Sequence, residues 1–219
     1  MRYVALGLVI GLIVAMAAAG AWGQSSQSGA AWEPLDSWLE IEQNVSAHMA
    51  GAAEYHFKLA RQSFPVKASA TAEEIRAGAA FLELEAGGVQ GAEKEALVAA
   101  VGELVRLADE VERGVITSHR HLEYSFARAH YVMAEHHYRQ TEESFAREDL
   151  SRVSDHFKSV ATHVKRGLSW VGLELDPGLA AFTRGPSLPA ETAEVSKAIR
   201  FAGSELDRLG KRIMLAEQQ

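Results

Sequence analysis

The 219-residue chain has no cysteine. Disulfides, thiolate metal ligands and covalent attachment of a c-type haem are therefore excluded, and stability must come from core burial. Bases are fewer than acids, 22 against 29 for a formal net charge of −7, which argues against a nucleic-acid partner. No segment alternates apolar and polar residues as a half-buried strand does. The motifs H-E-x-x-H, G-x-S-x-G and Glu-x-x-His are missing, as are phosphate-cradling glycine loops. Their absence removes the signatures of zincins, α/β-hydrolases, ferritin-like di-iron proteins and P-loop enzymes. No catalytic residue stands out, although Ser118, His119 and Glu123 are spaced so that a triad can be drawn through them.

One long apolar run is present, from Val4 to about Ala19, behind a single Arg2 and ahead of small residues ending at Gly23. This pattern predicts a secretory signal peptide over residues 1–23, with Ala21 and Gly23 in the positions small side chains occupy before a cut at Gln24. The alternative is an uncleaved N-terminal anchor, because Tyr3 to Trp22 matches the roughly 20 residues a spanning helix needs. Residues 24–34 are small and polar and read as a flexible tether, leaving 35–219 as a single helical domain. The expected location is outside the cytoplasm, in a bacterial periplasm, with no stable membrane insertion once the signal is removed.

Helix punctuation is clear along that domain. A first helix from Trp38 is stopped by Pro65, and Thr71 with Glu74 has the spacing of a capping box for a second that closes at Gly87-Gly88. A third runs from about Ala92 to Arg113, with Gly114 as its stop. The fourth starts near Thr117 or Ser118 and meets no breaker before Ala146. Asp149 can cap a fifth, which ends at Asp176-Pro177-Gly178. Leu179 to Pro189 reads as a loop before a sixth helix over about 190–216. The expectation is an all-α, six-helix bundle.

The stretch Ala134–Phe145, AEHHYRQTEESF, resembles Ala53–Phe64, AEYHFKLARQSF, at an offset of 81 residues. Alanine, glutamate, His137 with His56, serine and phenylalanine coincide, which suggests two degenerate three-helix repeats over about 35–114 and 115–219. Tetratricopeptide repeats are excluded by a period of 81 rather than about 34.

On a helical wheel centred at Ala134, His130 and His137 fall about 40–60° to one side of the apolar face, with His119 beside them and Glu123 nearer the centre. His121 and His136 fall towards solvent. The fifth helix places His156 and His163 at similar offsets, so an antiparallel hairpin brings four imidazoles to one side. Neutral imidazole is a common ligand of transition metals and of haem iron, which makes His130, His137, His156 and His163 candidate metal ligands, with His56, His119 and Glu123 as weaker ones. Zinc, copper, nickel or a b-type haem are the cofactors this chemistry admits. Tyr124, Tyr131, Tyr138 and Phe145, at steps of seven, read as packing against the core or a partner helix. The first functional expectation is an exported, non-enzymatic binding or envelope-homeostasis module, with a protein partner or a second copy of itself among its contacts. The alternative is a metal- or haem-binding protein using the inward histidines, and the third is an enzyme without a recognisable motif.

Overall fold

The computed structural model describes residues 51–182 and 192–217. The expected signal, tether, start of the first helix and residues 183–191 lie outside them. Among the described residues there are seven helices and no strand. Helix α1 covers 51–63, α2 Ala68–Gly87, α3 Gly91–Glu112, α4 His119–Ala146, α5 Leu150–Trp170, α6 Pro177–Phe182 and α7 Thr192–Glu217. The fold is all-α, as the missing strand alternation requires.

Two expectations are corrected. The fifth helix stops at Trp170 rather than at Asp176-Pro177-Gly178, and the seventh helix is α6, a short one that starts there and runs into the expected loop because Pro177 supplies a helical φ at a first position. Its entry is held by Asp176, whose Oδ1 accepts from the Gly178 N–H at 2.8 Å. The capping box at Thr71 does not form. Helix α2 begins at Ala68, one turn earlier, and the Thr71 hydroxyl donates back to the Lys67 carbonyl at 3.0 Å. The other caps form where expected: Ser118 Oγ accepts from the Arg120 N–H at 3.2 Å, which gives that serine a structural use, and Asp149 accepts from Arg152.

Helix α4 is the centre of the fold because it is apolar on two sides. Leu122, Phe126, Ala129 and Met133 face a core built with Phe57 of α1, Ile75 and Leu82 of α2, and Leu97 and Leu104 of α3. Ala127 and Ala134 face a second core with Phe157, Val160 and Val164 of α5 and Ile199, Leu206 and Leu209 of α7. The tyrosine stripe packs against this second core, and α7 approaches it through glycines. A Cβ on Gly203 would sit 2.7 Å from Oη of Tyr138, and one on Gly210 2.9 Å from Cε2 of Tyr131.

Three helices end in the same hydrogen-bonded turn. At the ends of α3 and α5 the residue after the cap is glycine with φ of 72°, Gly114 and Gly172, where a left-handed conformation is free of a Cβ clash. At the end of α4 the same position is Glu148, at φ 61°.

Replacing Glu148→Gly is expected to raise stability by about 1 kcal/mol, read as a higher urea midpoint with an unchanged slope; no gain would show the turn to be unstrained. Gly203→Ala should cost about 1–3 kcal/mol by driving Tyr138 off α7. Gly102→Ala, in the middle of α3 with nothing within 4 Å of its new Cβ, should instead stabilise by up to about 1 kcal/mol.

Candidate metal centre

The α2–α3 turn is where the site begins. Gly91 takes φ 67° just after Gly87 and Gly88, so the chain reverses within a few residues. That reversal carries Glu85, in the last turn of α2, and Glu93, in the first turn of α3, towards the middle of α4. There they meet His136 and His137. Nδ1 of His136 donates to Oε2 of Glu93 at 2.7 Å. Nε2 of His137 lies 3.5 Å from Oε1 of Glu85, too long for a hydrogen bond, and both ring nitrogens of His137 are buried without a hydrogen-bond partner. Glu85, His136 and His137 each offer a ligand atom, and these atoms lie within 4.8 Å of one another.

A row of stacked imidazoles continues from this point into α5. The ring of His137 lies 5.6 Å from that of His163 at 18°, and 6.2 Å from that of His156 at 25°. Nδ1 of His163 is 3.1 Å from Nδ1 of His130, and Nε2 of His130 donates to Oε2 of Glu54 at 2.9 Å. Glu54 also accepts from Nε1 of Trp170 at 2.9 Å, and its Oε1 lies 3.1 Å from Nζ of Lys58. His130 and His163 share the lining of a void of about 10 Å³ with Glu85, Met133 and Phe81, space for about one water-sized occupant.

Burial sets the charge of this row. His137 is lowered to about 3, first by burial and then by His136 and His156. His156 is lowered to about 4 by burial, with His136 and Arg152 adding to it and Asp149 opposing. His163 is held well below its ordinary range by burial and by His130 and His137. Burial also lowers His130, against the pull of Glu54. The Glu54 carboxyl is raised by burial, but its bonds from His130, Trp170 and Lys58 prevail and bring it to about 2. The imidazoles are therefore neutral, the form that binds metals, beside an ionised carboxylate.

The structure thus brings together His130, His137, His156 and His163. It leaves the weaker candidates apart. His56 donates from Nδ1 to Glu74 at 2.7 Å and stacks on Phe81, His119 lies edge-on to Phe64 at the exposed start of α4, and Glu123 pairs with Arg61 at 2.7 Å. The carboxylates that hydrogen-bond to the buried rings are Glu54, on His130, and Glu93, on His136. His136 corrects the wheel. It is 4% exposed rather than turned to solvent, because the α2–α3 turn covers a side of α4 that a one-faced wheel leaves open. Its partner Glu93 is 43 residues away, and no local pattern marks the pair.

These shifts give a sign for acid stability. An unfolded histidine takes its proton near 6.5, whereas folded His156 and His137 do so only near pH 4 and 3, so the unfolded chain binds more protons below 6.5. Glu54 adds a second window, since its stabilisation is complete above 4.5 and is lost between 4.5 and about 2. Metal-free protein is expected to lose stability continuously from pH 6.5 to 4, by more than about 1.4 kcal/mol per pH unit, the slope of a single proton. A flat urea-denaturation profile over that range would contradict neutral, buried imidazoles.

No protein-family model matches the chain, and neither a curated protein nor a solved structure matches it, so its function is argued from the site alone.

Proposed function

We propose that this is an exported, non-enzymatic binding protein whose ligand is a divalent transition-metal ion, held between Glu85, His136 and His137. The carrying observation is His137, whose two buried nitrogens have no hydrogen-bond partner. Leaving such groups unsatisfied costs about 1–3 kcal/mol each, a cost that a metal on one nitrogen relieves. The 3.5 Å from Nε2 of His137 to Oε1 of Glu85 is close to the edge of a tetrahedral zinc site, about 3.3 Å for bonds near 2 Å. Glu85 also sits in the last turn of α2, at the negative end of the helix dipole, where a cation is favoured. Glu93 on Nδ1 of His136 holds the proton there and leaves Nε2 of that ring as the ligating atom, the usual arrangement behind a metal-bound histidine.

Imidazole with carboxylate suits zinc, copper(II) and nickel. The small void beside the rings favours an ion over a haem, whose macrocycle needs a slot that the stacked imidazoles fill. Export is supported by the apolar run from Val4 to about Ala19 and the small residues after it. No helix of the described residues is long and apolar enough to cross a membrane. The 81-residue offset supports a plan of two repeats in which the first copy supplies Glu85 and Glu93 and the second His136 and His137.

Protein purified without a histidine tag and stripped with chelator should take up one zinc ion. At a free zinc concentration of about 100 times Kd the gain is about 2.7 kcal/mol, or roughly 5–10 °C in Tm. His137→Leu should abolish this shift while leaving the metal-free protein as stable or more so, because two unsatisfied nitrogens are removed. A zinc response that survives His137→Leu, or no response in the parent protein, would refute the site.

A further inference from the structure

A site whose histidines are buried needs a way in. A divalent ion stripped of its water and given no other ligand pays the full cost of burying a charge, so it has to exchange water for protein donors in steps that begin at the surface. Of the five imidazoles in the row, His130, His136, His137 and His163 are buried, and His156 alone is part-exposed. Three rings lie against that of His137: His136 at 5.1 Å, His163 at 5.6 Å and His156 at 6.2 Å. Only the last of them reaches solvent. His137 is also the buried ring that is free to turn. His136 is tied to Glu93, and His130 and His163 to each other, whereas neither nitrogen of His137 has a hydrogen-bond partner. Packing alone sets its angle, so the ring can swing between His156 and Glu85 without breaking a bond. The charges felt by His156 are balanced, since Arg152 pairs with Asp149 at 3.3 Å and Arg147 with Glu143 at 3.8 Å. An arriving cation therefore does not meet unpaired guanidinium groups.

We propose that His156 is the loading ligand of the metal centre: it takes a divalent transition-metal ion from solvent and hands it to His137, which delivers it to Glu85 and His136. The proposal rests on the metal reading of Glu85, His136 and His137, and it adds no ligand to the ion once held. The transfer is a single step of about 6 Å between two stacked rings. A neutral imidazole keeps one nitrogen as a lone pair, so His156 can bind the ion without first losing a proton. Glu85 also comes near the surface, its side chain being 14% exposed, but a lone carboxylate suits zinc, copper or nickel less well than an imidazole does. A residue that serves only the route lowers the barrier for entry and exit alike. His156 thus sets how fast the ion comes and goes, and the buried donors set how tightly it is held.

Cobalt(II) reports both directions, because its visible absorbance changes when protein donors replace water. Stopped-flow mixing of chelator-stripped protein with cobalt(II) gives the rate of uptake, and mixing the loaded protein with excess chelator gives the rate of release. His156→Phe, which keeps a ring against His137, is expected to slow both by about tenfold or more while Kd stays within about twofold. His156→Asn, which also lacks the imidazole, carries the same expectation should the phenylalanine fail to fold. Unchanged rates would show that the ion enters past Glu85 and would overturn the loading role. Faster release with unchanged uptake would overturn it too, by making His156 a ligand of the held ion or a residue that supports the site by packing. Either result leaves the metal centre standing, whereas a parent protein that binds no cobalt removes the loading role and the metal reading together.

Discussion

Imidazoles buried on a helix that is covered from two sides must be neutral, and the organisation of this bundle follows from that constraint. Helix α4 packs Phe126 and Met133 into one core and Ala127 and Ala134 into another, so the residues between these faces have little water to reach. A charged ring in such a place pays a desolvation penalty that Glu54 offsets for His130 only in part and that nothing close offsets for His163. Neutral rings can stack, as His137 does with His156 and His163, and can share one hydrogen between two nitrogens, as His130 and His163 do. They also keep a lone pair each. A row of neutral imidazoles in such an interior holds its lone pairs in place by packing.

The carboxylates arrive from elsewhere in the fold. A short turn at Gly87–Gly91 sets Glu85 and Glu93 over the middle of α4, one at the unfavourable end of a helix and one at the favourable end. Glu93 has its partner in Nδ1 of His136, while Glu85 faces a nitrogen of His137 at a distance that suits a shared cation better than a hydrogen bond. Glu54 anchors the far end of the row through Trp170, Lys58 and His130. The metal reading accounts for the unpartnered ring nitrogens of His137.

Much of the architecture was legible in the sequence, because helix ends are local. Pro65, Gly114, Ser118 and Asp149 act through their own φ or through a cap one turn away, and these ends fall close to where the sequence places them. Thr71 misled because its hydroxyl has two local uses, and back-bonding to Lys67 prevailed over capping. The i, i+7 pairs His130/His137 and His156/His163 were legible for the same reason of periodicity. The rest of the site was hidden. His136 and His137 are neighbours in sequence, and a wheel with one buried face has to send one of them outward. Only the knowledge that the α2–α3 turn lies across α4 brings His136 inside, and that contact spans more than 40 residues. Glu54 offered a fainter signal, standing two residues from His56 in the stretch that resembles the second copy, yet its partner is His130, 76 residues on.

Crystals of the zinc-loaded protein, with anomalous differences collected on both sides of the zinc edge, test the central claim most directly. The account requires a single anomalous peak within bonding distance of Glu85, His136 and His137, at about 2.0–2.2 Å from their ligating atoms. A peak confined to exposed histidines such as His119 or His121, or an interior without any peak, would show that the buried imidazoles are there for packing alone.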